Sequence, residues 1–138
     1  NQSLGHQWGG NFRELIAIAR YNKGRLFADA KVTVGTRGLD FNTTEDSFNY
    51  GGNIYKDYDE KRPFDTGVKV GQGNKTKVFI ADIQGGYLVN PATNLKLFAS
   101  YIYRSFDPSK NTVATFNQST NWVTLGVRSD IFNFYFDY

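Results

Sequence analysis

The strictest constraint on this chain is a period-two alternation of apolar and polar side chains, carried through segments longer than a soluble sheet normally uses. From Arg25 to Val34, Leu26, Ala28, Ala30, Val32 and Val34 fall on one side, against Arg25, Asp29, Lys31 and Thr33 on the other. Successive side chains of a strand point to opposite faces, so the pattern predicts a strand with one apolar and one wetted face. Phe12 to Asn22 alternates in the same way, Leu15, Ala17, Ala19 and Tyr21 opposing Glu14, Ile16, Ile18 and Arg20. Its composition would also suit a helix, but the turn residues that follow, and the strand after them, favour a hairpin. The clearest hairpin runs from Thr76 to Val89, turns at Asn90 to Asn94, and returns from Leu95 to Arg104. Phe79, Ala81, Ile83, Tyr87 and Val89 share a phase on its first arm, and Leu95, Leu97, Ala99, Tyr101 and Tyr103 on its second. Asn121 to Arg128 and the aromatic Ile131 to Tyr138 complete six predicted strands.

Strand length separates two all-β classes. Soluble strands are about five or six residues long, whereas a tilted strand crossing a bilayer keeps about nine to eleven at hydrocarbon depth. The connections are unequal as well. Tight turns are expected near 22–24, 90–94 and 129–130, and long polar loops near 36–74 and 105–120, with extended segments at Tyr50 to Tyr55 and Gly67 to Val70 inside the first loop. Short turns at one end and long loops at the other are the habit of outer-membrane barrels, where the turns are periplasmic and the loops extracellular. The expected fold is therefore an antiparallel transmembrane β-barrel segment of six to eight long strands within residues 1–138. Bacterial barrels need about eight strands or more. The start at Asn1-Gln2-Ser3, without Met, leads us to expect the closing part of a larger barrel.

Composition excludes other classes. The 16 Lys and Arg are interspersed with 13 Asp and Glu, with no basic run suited to nucleic acid. No apolar run approaches the roughly eighteen residues of a membrane helix. Without Cys there is no thiolate nucleophile or metal ligand. His6 stands alone and is read as a loop or packing residue; Asp57, Asp59 and Glu60 are interrupted by Tyr58 and flanked by Lys56, Lys61 and Arg62, which breaks the register of a calcium loop. Gly71 to Thr76 lacks phosphate-loop spacing. The sequons at Asn42, Asn74 and Asn117 have no role in a bacterial barrel. We therefore expect neither enzymatic activity nor a cofactor or metal. The constellation that remains is the polar phase of the strands: Glu14, Arg20, Arg25, Asp29, Lys31, Asp82, Gln84, Lys96, Arg104 and Arg128 are candidate lumen-facing groups. Tyr21, Tyr87, Leu97, Ala99, Tyr101, Tyr103, Phe132 and Tyr138 are the lipid-facing or girdle candidates.

Three stretches carry a resemblance: Leu4-Gly5-His6-Gln7-Trp8-Gly9-Gly10-Asn11-Phe12-Arg13-Glu14-Leu15, Tyr50-Gly51-Gly52-Asn53-Ile54-Tyr55, and Gly86-Tyr87-Leu88-Val89-Asn90-Pro91-Ala92-Thr93-Asn94-Leu95. They resemble the carboxy-terminal part of large outer-membrane β-barrel proteins of Bacteroidota, some of them similar to capsule-assembly barrels of the Wzi type. The aromatic end resembles the signal read by the barrel assembly machinery, with Tyr138 where Phe is more usual. The resemblance implies a non-enzymatic protein of the cell outer membrane, engaged in transport or in surface polysaccharide or envelope assembly. Its partners would be outer-membrane lipid and a surface polysaccharide or an envelope protein complex. The rival expectation is a soluble all-β carbohydrate-binding or structural interaction module, with the same apolar faces packed inside a sandwich.

Overall fold

The alternating segments form five strands in the computed structural model, which describes residues 5–57 and 59–129. These are β1 (Phe12–Lys23), β2 (Leu26–Leu39), β3 (Asn74–Asn90), β4 (Leu95–Pro108) and β5 (Gln118–Arg128). They make one open antiparallel sheet in chain order, and the described residues include no helix. The strands span 12, 14, 17, 14 and 11 residues. The predicted sixth strand, Ile131 to Tyr138, lies outside the described residues.

Local chemistry sets the turns. β1 and β2 are joined by Gly24 and Arg25 alone, closed by the Lys23–Leu26 pair, with Gly24 at a φ of 60°. Glycine at the first loop position supplies the positive φ that lets a two-residue turn match the twist of its strands. Arg25, expected to open β2, therefore sits in the turn. Between β3 and β4, the Asn90 side chain accepts the Ala92 N–H at 2.9 Å, and Asn94 takes a φ of 49°. The register slips between Leu88 and Asn90, so Val89 is the extra residue of a bulge.

The long connections differ from expectation at their ends. β2 continues through Gly35 and Gly38 to Leu39, which pairs with Asn74, so the first loop is confined to 40–73. A Cβ on Gly38 would overlap the Gln72 carbonyl and the Asn11 amide, so that glycine marks a close approach within the strand and not its end. Neither Tyr50 to Tyr55 nor Gly67 to Val70 forms a strand. The second loop is likewise shorter, 109–117, because β4 runs on to Pro108. Both long loops lie at the end of the sheet opposite the two tight turns.

Two side-chain amides, one half-buried and one fully buried, fasten these loops. Asn11, at a φ of 53°, has its Nδ2 within reach of the Gly38, Tyr50 and Gln72 carbonyls at 3.3, 2.8 and 3.0 Å, while its Oδ1 accepts the Gly71 N–H at 2.7 Å. Its two amide hydrogens can serve two of those carbonyls at a time. Asn74, fully buried, donates to the Lys110 carbonyl at 2.8 Å and accepts from Ser109 Oγ and Lys110 N, which ties the second loop to β3. Burial also rules out glycosylation of Asn74 in the folded chain. Replacing Asn11 with Ala removes these bonds and leaves a Cβ-bearing residue with no local hydrogen bond in the left-handed region. We expect Asn11→Ala to cost about 2–4 kcal/mol and Asn11→Gly less, since glycine loses the bonds without the strain; denaturant midpoints of the two variants check this.

Candidate functional site

The register sorts the strand residues into two unbroken faces. Leu15 lies beside Val34, which lies beside Phe79; Ala19, Ala30, Ile83, Tyr101 and Val123 form another row, and Tyr21, Ala28, Gly85, Ala99 and Leu125 a third. Leu26, Tyr87, Leu97 and Val127 close the face near the turns. It is apolar and exposed along its length, Leu15 at 70%, Val123 at 68% and Leu125 at 78%. Tyr21, Tyr87, Leu97, Ala99, Tyr101 and Tyr103 all belong to this face; Phe132 and Tyr138 lie outside the described residues.

The other face carries Glu14, Arg20, Asp29, Lys31, Asp82, Gln84, Lys96, Arg104 and Arg128. Rows run Arg20, Asp29, Gln84, Ser100 and Thr124, then Ile18, Lys31, Asp82, Ile102 and Trp122. Arg20 Nε donates to Asp29 Oδ1 at 2.8 Å in an exposed pair worth little by itself. The face is not uniformly polar, because Ile16, Ile18 and Trp122 stand exposed near its lateral edges. Near the turns, Arg25, Lys96 and Arg128 border a depression of about 270 Å³ that also holds Asp29 and Gln84, so Arg25 joins the polar group from the turn.

Burial falls on the polar face and at one end of it. Thr33, Val78 and Thr76 are buried there beneath the amino-terminal segment and the loops, and Trp8 is buried against β2. A Cβ on Gly35 would collide with the Trp8 ring, so this glycine is the seat of the indole. The Trp8 N–H donates to His6 Nδ1 at 3.1 Å, which leaves the other ring nitrogen, Nε2, to donate to Glu14 Oε1. His6 also stacks on Phe12 with ring centroids 4.3 Å apart. The histidine is thus a packing residue that caps Glu14, and that glutamate belongs to the covered end of the face.

Asp40 organises the loop above. Its buried carboxylate accepts the Tyr50 N–H at 2.8 Å and the Lys56 ammonium at 2.6 Å. Between Asp40 and the amino-terminal segment lies a cleft of about 280 Å³, lined among others by Gln7, Arg37, Asn42, Asn53 and Tyr55. Sequence reasoning passed over Arg37, since β2 was expected to end before it. The available signal was the continuation of the polar phase through Thr33, Gly35 and Arg37.

The Tyr50 phenol donates to Asp46 Oδ2 at 3.0 Å. Burial, that hydrogen bond, and the charges of Asp46 and Asp40 hold its pKa above the ordinary tyrosine value. A folded pKa above the unfolded value of about 10 means stability that is whole below pH ~10 and lost as pH rises through the folded value. Denaturant midpoints should therefore fall on the alkaline side of pH 10, and Tyr50→Phe should flatten that limb while costing about 1 kcal/mol at neutral pH. In comparisons with known proteins, no family model, curated protein or solved structure matches the chain.

Proposed function

We propose that this chain is a section of a non-enzymatic outer-membrane β-barrel, with its apolar face in lipid and its polar face toward the lumen, serving transport or surface polysaccharide and envelope assembly. One observation carries the reading: burial is inverted relative to a soluble sheet. The continuous apolar face is the exposed one, and the buried side chains Thr33, Thr76 and Val78 are on the polar face. Soluble monomers rarely expose contiguous apolar patches beyond a few hundred Å². Five long strands with an exposed aliphatic and tyrosine surface exceed that scale.

The dimensions support the same reading. The apolar row from Phe79 to Val89 runs about 33 Å along the strand at ~3.3 Å per residue, which at the ~40° tilt usual for such strands gives roughly 25 Å of height, the thickness of an outer-membrane apolar band. Five strands cannot close a barrel whose minimum is about eight, so the outer edge of β1 and the sheet beyond β5 would be completed by further strands of the same protein. On this reading the Gly24–Arg25 and 91–94 turns are periplasmic, and the loops 40–73 and 109–117 extracellular.

The test is spin labelling of the full chain, folded in detergent and in liposomes. Labels at Leu97, Ala99 and Tyr101 should be relaxed strongly by oxygen, which partitions into lipid, and weakly by a water-soluble nickel chelate. Labels at Gln84, Ser100 and Thr124 should show the reverse. Protection of Leu97, Ala99 and Tyr101 from both reagents, with a soluble monomer in detergent-free buffer, would overturn the membrane reading in favour of a sandwich core.

A further inference from the structure

We infer that the cleft at the loop end of the sheet is a binding site for a carboxylate-bearing polar ligand of monosaccharide size, with Arg37 as its anion-binding residue. The inference concerns the loop end alone and does not depend on whether the apolar face lies in lipid.

Arg37 is in a costly state as it stands. It belongs to the polar phase of β2, opposite Phe12 and Thr76, where the loops cover the sheet, and its Nε is buried with no hydrogen-bond partner. No ion pair or hydrogen bond joins its guanidinium to another described residue. A buried donor left unsatisfied carries the desolvation penalty of the group, and the penalty is larger when that group is charged. The obvious internal neutraliser is already engaged: Asp40, in the same cleft, has one oxygen held by the Tyr50 N–H and the other by Lys56. The positive charge of Arg37 is therefore left for something that enters from outside.

The rest of the lining indicates the kind of molecule. Gln7, Asn42 and Asn53 offer neutral amides, Tyr55 an exposed aromatic face and Ile54 a small apolar wall. A planar guanidinium fork matches a carboxylate bidentately, while neutral amides and an aromatic ring suit the hydroxyls and the apolar face of a pyranose. The volume of about 280 Å³ takes one such ring. Gly9, at a φ of 75°, borders the cleft beside Ile54, and a Cβ there would sit at van der Waals distance, 3.9 Å, from Arg37 Nη2.

The probe is glucuronate, with glucose as the ring that lacks the carboxylate, titrated into the full chain in detergent micelles by calorimetry. Glucuronate should bind at least about tenfold more tightly than glucose. Arg37→Met, which keeps length and removes the charge, should weaken glucuronate by at least about tenfold and leave glucose unchanged. Arg37→Lys, a charge without the fork, should fall between, and Lys69→Gln, an exposed cation elsewhere in the loop, should bind like the parent. If Arg37→Met does not fold, the parent chain answers alone: phenylglyoxal modification of Arg37, read by mass spectrometry, should be slowed by glucuronate and not by glucose. No binding to the parent chain, equal affinity for the two sugars, or undiminished binding by Arg37→Met would overturn the assignment, as would modification of Arg37 at the same rate with and without glucuronate.

Discussion

The whole structure depends on a backbone ladder whose register is nearly unbroken across five strands. From β1 to β5 each residue meets a partner of matching phase, and the single slip falls at Val89, beyond most of the apolar rows. A slip of one residue anywhere within those rows would carry a strand's apolar side chains to the opposite face. The ladder is therefore what converts five separate alternating segments into two coherent surfaces. It also fixes both tight turns at one end and both long loops at the other.

Side-chain packing does comparatively little in the middle of the sheet. Apart from Trp8, Val78 and Pro108, the buried side chains are polar, and they cluster where the amino-terminal segment and the loops meet the sheet. Cohesion there comes from amides that satisfy loop carbonyls and N–H groups, with Asn11 and Asn74 as the two centres. The apolar rows, in contrast, stay largely exposed, and each Å² of such surface left in water forgoes roughly 25 cal/mol. A sheet this long draws little of its stability from its own interior.

Alternation made the strands and their faces legible because period two is a direct statement about side-chain direction. Leu97, Ala99 and Tyr101, or Asp29 and Gln84, fall where their parity puts them. The ends of β2 and β4 were less legible, since Gly35 and Gly38 read as loop residues when their real function is to admit the Trp8 ring and the Asn11 amide. Such close approaches join residues far apart in the chain and leave no local pattern. The same holds for Arg37: nothing in its neighbours along the sequence says that Asp40 is committed to Lys56. The hub role of Asn11 was equally hidden, as its partners at Gly38, Tyr50, Gly71 and Gln72 come from three separate segments.

Two glycines on the polar face near the turns have a geometric effect of their own. A Cβ on Gly86 would overlap the Phe27 ring, and one on Gly126 would lie 2.6 Å from Phe98 Cζ, so both phenyl rings recline across a neighbouring strand where a side chain would otherwise stand. Rings lying flat keep the surface low, and Lys96 reaches over Phe27 with its ammonium 5.8 Å from the ring centre. The polar face thus slopes: it is thick with covering chain at the loop end and nearly bare at the turn end. A molecule moving over this face from the turns would meet a shallow aromatic floor edged with cations before it reached the indole of Trp8.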